Sequence, residues 1–268
     1  MKKITWSYKL VITIILLIGV VITFAAAPKW IKFAARPADE DAALPPEEKI
    51  TYTPGQKAKF KELMAIYSHI DSCKEIFMAG KMTCIDPSDS SQNLNTTFKY
   101  CRKFDELYYQ TDESEMVALK DMYLAISNNA RKILVNQPKT IVSPFLVPAD
   151  SLIALFQNDS YKMEYDDNDN GTSIRFLCPE HVYCKEYNFE VKNNRLSAFS
   201  MRLTDLNDPL NTAKDKMIKV TIDQWEEKKL PVNLLKAQTY VNLQGNRIQP
   251  SAAYAGYELI NYLNVNAN

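Results

Sequence analysis

The chain has 268 residues, with 32 Lys+Arg against 32 Asp+Glu, so no bulk charge draws it to nucleic acid or to an anionic membrane surface. Six Gly against fifteen Tyr and eleven Phe is a composition rich in strand-friendly aromatics and poor in the glycine that nucleotide-binding loops need. No Walker or dinucleotide fingerprint occurs in it.

At the start of the chain Lys2, Lys3 and Lys9 precede an uncharged apolar run over residues 10–27, interrupted only by Thr13, Gly19 and Thr23. That pattern predicts a membrane segment. Ala25-Ala26-Ala27 resembles a processing site, but Pro28 obstructs cleavage there, and the run is longer than a signal core. A retained anchor over residues 1–36 is therefore expected, with cleavage and release into the periplasm as the alternative. Lys29, Lys32 and Arg36 balance the three leading lysines, so basic residues do not orient the span. Five cysteines without a catalytic signature point to an exported domain. The expectation is a single-pass protein of the bacterial inner membrane with its domain in the periplasm.

Residues 37–53 carry Pro37, Pro45 and Pro46 with Asp39, Glu40, Asp41, Glu47 and Glu48, the composition of a tether. Thr53-Pro54-Gly55-Gln56 then reads as a helix start with a capping box. Phe60, Leu63, Met64, Tyr67 and Ile70 follow at helical spacing, and the helix should end near Ser72. Residues 75–85 and 96–103 read as strands of a meander, bounded by Pro87-Ser88-Asp89-Ser90 and Lys103-Phe104-Asp105.

The stretch 115–135 fits two structures. Met116, Leu119, Tyr123, Ile126, Ala130 and Ile133 would line a helix face, while Asn128-Asn129 would make a hairpin tip. The hairpin is taken. Pro148-Ala149-Asp150-Ser151 opens a second helix that turns Leu152, Leu155 and Phe156 inward and ends near Asn158. Hairpins follow at 162–165 with 173–178 around the turn 166–171, and at 187–191 with 196–203 around Asn193-Asn194. In 216–222, Met217, Lys219 and Thr221 alternate with Ile218, Val220 and Ile222, which predicts one core face and one wet face. Leu230-Pro231 ends this region, and 257–263 fits a last strand. The fold class is α+β, mainly antiparallel β, in one domain over 54–231 with a C-terminal extension over 232–268.

This order of elements is similar to that of the periplasmic outer-membrane lipoprotein carrier family, with its LolA/LolB-like fold. Asp121-Met122-Tyr123-Leu124-Ala125-Ile126 before Asn128-Asn129-Ala130-Arg131-Lys132-Ile133-Leu134-Val135 resembles the family's middle strand-turn-strand. Phe189-Glu190-Val191-Lys192-Asn193-Asn194-Arg195-Leu196, followed by Met201-Arg202-Leu203-Thr204-Asp205, resembles its late hairpin, and 216–222 leading to Leu230-Pro231 resembles the strand after it. The resemblance spans roughly 53–231 and implies a curved half-barrel sheet whose short helices cover an apolar cavity for acyl chains. The chain departs from the soluble carrier in its membrane span and in its tail.

Cys178-Pro179-Glu180-His181-Val182-Tyr183-Cys184 offers two thiols and an imidazole, but no fourth zinc ligand is evident, and an exported hairpin favours a Cys178–Cys184 disulfide. Cys73, Cys84 and Cys101 leave an odd count, with one further bridge expected among them. Asp166-Asp167-Asn168-Asp169-Asn170-Gly171 matches half a calcium loop, yet Leu177 holds the place of the bidentate carboxylate, so a hairpin turn is expected. His69 and His181 have no partnered nucleophile, and Asp105-Glu106 and Glu226-Glu227 read as solvated turns.

No catalytic residue, metal or cofactor is expected. The leading expectation is a non-enzymatic domain that holds a lipid or lipoprotein acyl chain, with Leu63, Tyr67, Leu152, Leu155 and Phe156 lining the groove. Ordinary core packing is the other use of the same five side chains. The rival expectation is a structural or interaction subunit of an envelope complex, with a filled core and an envelope protein as partner.

Overall fold

The computed structural model describes residues 51–139, 149–157, 161–244 and 247–263. The expected membrane span 1–36, and the tether up to residue 50, lie outside the described residues. Among the described residues no helix is long and apolar enough to cross a membrane.

Helix α1, Pro54–Ser72, begins where its cap dictates: Thr53 N–H donates to Gln56 Oε1 at 2.7 Å, and Gln56 N–H donates to Thr53 Oγ1 at 3.3 Å. It buries Leu63, Ile66, Tyr67 and Ile70 along one side. Six strands follow: β1 (Glu75–Ile85), β2 (Leu94–Lys103), β3 (Glu106–Thr111), β4 (Ser114–Ala118), β5 (Tyr123–Ser127) and β6 (Lys132–Asn136). Residues 115–135 thus end β4 and form a hairpin rather than a helix. Helix α2, Ala149–Gln157, precedes β7 (Lys162–Asn168), β8 (Gly171–Leu177), β9 (Cys184–Lys192), β10 (Arg195–Leu203) and β11 (Lys216–Glu227). The tail adds a short helix α3 (Ala237–Tyr240), a hairpin of β12 (Val241–Gln244) and β13 (Arg247–Pro250), and β14 (Glu258–Asn261).

Twelve of these strands form one curved, unclosed sheet in the order β14-β6-β5-β4-β3-β2-β1-β11-β10-β9-β8-β7. Every pairing is antiparallel except that of β14, which lies parallel to β6 at one edge.

Turn chemistry sets the registers. Asn193 and Asn194 take φ of 52° and 58°, the left-handed geometry of a two-residue hairpin turn between β9 and β10. The turn between β7 and β8 is shorter than the 166–171 loop expected from sequence, because Asn168 pairs directly with Gly171. At the centre, β1 and β11 slip register between Ala79 and Gly80, which face Gln224 and Ile222. A Cβ on Gly80 would lie 1.8 Å from the Thr221 carbonyl oxygen, so glycine is required where the two backbones touch.

Two cores result, one on each face of the sheet. On the helix face, α1 and α2 cover a cluster that includes Ile76, Phe98, Tyr100, Tyr109, Phe176, Phe189 and Val220. On the tail face, Leu235, Tyr240 and Val241 cover Phe77, Cys101, Tyr108, Val117, Leu124, Ile133 and Val135.

Candidate functional site

The five side chains expected to line a groove do converge on the helix face. Leu63 and Leu152 are wholly buried and Tyr67 is 2% exposed, while Leu155 and Phe156 are partly buried against the same cluster. Phe156 lies between two rings, with centroids 4.2 Å from Tyr52 and 3.9 Å from Phe60. Phe60 meets Phe176 edge-on, and Tyr67 meets Phe189 in the same way. These contacts are interior packing between roof and sheet.

Polar groups in this interior are few and specific. Tyr52 Oη donates to the Tyr161 carbonyl at 2.7 Å, and Tyr161 Oη donates to the Cys184 carbonyl at 2.7 Å. Tyr67 Oη is buried with no hydrogen-bond partner among the described residues, and burial, with the nearby Asp71 charge, pushes its pKa up.

The Cys178–Cys184 disulfide expected from sequence is not formed, and all five cysteines are free thiols. The register explains why: Leu177 pairs with Glu186 and Cys178 N–H donates to the Lys185 carbonyl, so Cys178 stands opposite Lys185 and the two cysteines are out of step. The further bridge expected among Cys73, Cys84 and Cys101 is likewise not formed. Cys101 is fully buried on the tail face, whereas Cys73 packs at the edge of the helix-face core.

An imidazole closes the loop in place of a disulfide. His181 Nδ1 accepts from the N–H groups of Tyr183 and Cys184 at 3.2 and 3.1 Å, and burial lowers its pKa, which favours the neutral ring these contacts need. The Cys184 thiol donates to the Glu186 carbonyl, and burial pushes its pKa up to about 12. In the acidic turn, Asp167 accepts from Thr172 Oγ1 at 2.6 Å and pairs with Lys59 at 3.0 Å, tying α1 to β7.

Three other arrangements escaped the sequence reading. Lys185 and Asp215 form a buried ion pair at 2.8 Å, and Lys185 also donates to the Pro209 carbonyl. Glu115, 6% exposed, accepts from the hydroxyls of Tyr108 and Tyr254, each at 2.9 Å, which fastens the tail to the sheet. Glu227, expected in a solvated turn, accepts from Trp225 Nε1 at 2.9 Å and lies 3.1 Å from His69 Nε2. Only His69 and Cys73, four residues apart at a helix end, offered a signal for that last group. Where the tail begins, Phe77, Lys99, Gln224, Lys229, Leu230 and Leu234 border an open cleft of ≈ 510 Å³.

No protein-family model matches the chain, and no curated protein matches it. Among solved structures it is similar to an uncharacterized conserved protein from Thermus thermophilus, at 6% identity and a TM-score of 0.40, over 76% of this chain and 99% of that one. It is similar to a DUF1329 family protein from Desulfovibrio piger, at 9% identity and a TM-score of 0.30, over 70% and 99% of the respective chains. An outer membrane lipoprotein-sorting protein domain from Vibrio parahaemolyticus aligns at 6% identity and a TM-score of 0.28, over 67% of this chain and 97% of that one.

Proposed function

We propose that the chain is a non-catalytic interaction subunit of the bacterial envelope, held at the inner membrane by residues 1–36 with its sheet domain in the periplasm. The filled helix face carries this reading. Phe98, Tyr100, Tyr109, Phe176 and Phe189 are each no more than 2% exposed beneath α1 and α2. Side chains of that size take up the volume an acyl chain would need, at the close packing usual in protein interiors. A protein partner then has the open cleft where the tail begins and the two edge strands of the sheet, β7 and β14, to bind.

Native mass spectrometry of the full chain, freed of detergent in the gas phase, tests the proposal. The bare polypeptide mass is expected, and one retained lipid per chain would overturn it.

That second outcome belongs to the other reading, a domain holding a lipid or lipoprotein acyl chain, to which the sequence resemblance points. Two observations favour it. The Tyr67 hydroxyl is buried without a partner among the described residues, a site where a ligand's polar group would find a donor. Helix α2 fully buries only Leu152, with Leu155 and Phe156 partly buried, so lifting it uncovers apolar surface. Each methylene that took its place would contribute roughly 0.8 kcal/mol.

A further inference from the structure

His69, Cys73 and Glu227 bring an imidazole nitrogen, a thiol sulfur and a carboxylate oxygen within 4.8 Å of one another. Chain path produces the convergence. His69 and Cys73 stand one turn apart at the end of α1, and the bond from Cys73 N–H to the His69 carbonyl, at 2.8 Å, fixes their relation. From Cys73 the chain enters β1, where Ile76 pairs with Glu227 at the end of β11.

The surroundings hold all three in place. The Arg102 guanidinium donates to the carbonyls of Ile70, Asp71 and Cys73, which pins the turn that carries two of the groups. Trp225 Nε1 donates to Glu227 Oε1 and aims the carboxylate, as outer-sphere donors do around metals. A helix-to-strand hydrogen bond needs only His69 and Glu227; the Cys73 thiol beside them, which donates to the Glu75 carbonyl at 3.2 Å, supplies a third ligand atom of a softer kind.

We infer that these residues form a zinc site with one nitrogen, one sulfur and one oxygen ligand, and water as the fourth. Nitrogen and sulfur donors select a borderline-soft ion over calcium or magnesium. Tetrahedral zinc bonds of roughly 2.0–2.3 Å place donors about 3.3–3.6 Å apart; His69 Nε2 and Glu227 Oε1, at 3.1 Å, already stand near that spacing, and the Cys73 sulfur must take its place beside them. The side chains of His69 and Glu227, 55% and 25% exposed, leave a path from solvent. Arg195, 3.8 Å from Glu227, opposes the ion. Bound zinc staples the end of the roof helix to the central strands of the sheet.

Cobalt(II), titrated into the reduced full chain, is the probe. The expected result is one cobalt per chain with a thiolate-to-metal charge-transfer band that zinc displaces. Cys73→Ser abolishes the band, His69→Ala and Glu227→Gln weaken binding by roughly ten-fold or more, and Arg195→Gln tightens it. Zinc also raises the Tm of the parent chain, but not of Cys73→Ser. A titration without the band, a band that survives Cys73→Ser, or one lost in Cys178→Ser would each overturn the assignment.

Discussion

Strands β3–β6 and the adjoining ends of β1 and β2 lose water from both faces, whereas β7–β11 keep one face wet. In the first group the helix-face core occupies one side and the tail covers the other, with Tyr108 stacked on Tyr240 at 6.3 Å. In the second group the exposed side carries cross-strand charge pairs, Glu164 with Arg175, Glu186 with Arg202 and Glu190 with Lys219. Such exposed pairs contribute little to stability, but they keep an uncovered sheet face soluble. The same backbone arrangement therefore rests on hydrophobic cladding in one half and on a wet, paired surface in the other.

The contrast can be broken from either side. In the one-sided half, Asp215→Ala leaves the Lys185 ammonium charged and buried, and should cost about 3–5 kcal/mol in urea denaturation. A loss under about 1 kcal/mol would mean that the pair is not a keystone there. In the two-sided half, Glu115→Ala strands the Tyr254 hydroxyl under the tail and leaves the Tyr108 hydroxyl with Gln110 alone. A loss of about 1–3 kcal/mol is expected, measured the same way.

The smallest effect concerns thiols. Burial pushes both Cys101 and Cys184 up to about 12, so each stays protonated in the folded chain at pH values where an unfolded thiol ionises. Their contribution to stability is complete below the ordinary thiol pKa and is lost as pH rises toward about 12. Alkylation of the native chain at pH 8 should spare both, and fast labelling of either would show that its half of the sheet is open.

The two halves also differed in how plainly the sequence announced them. From 162 to 222 the polar–apolar alternation and the Asn193-Asn194 turn led directly to hairpins, because a half-wet sheet writes a period of two into its residues. β11 ran further than expected, to Glu227, since the bulge at Gly80 lets pairing with β1 continue past the break in alternation. Between 106 and 136 both faces are apolar, as in Leu107-Tyr108-Tyr109 and Ile133-Leu134-Val135, and the alternation vanishes. For that reason β3 and β4 went unrecognised and 115–135 looked equally helical.

Helix α1 was legible to its last residue, since its capping box is local chemistry. What covers the tail face was not, because Leu235, Tyr240 and Val241 act only through contact with strands far away in the chain. The same holds for the candidate site. His69 and Cys73 are neighbours on one helix, while Glu227 reaches His69 across 158 positions of sequence.

Hydrogen–deuterium exchange on Tyr240→Asp tests the unequal cladding most directly. Tyr240 is 1% exposed, and a charge there should lift the tail from the sheet. Amides of β4, β5 and β6 are expected to lose protection while those of β8, β9 and β10 keep theirs. Equal loss in both groups, or no loss in either, would contradict a sheet whose halves depend on different covers.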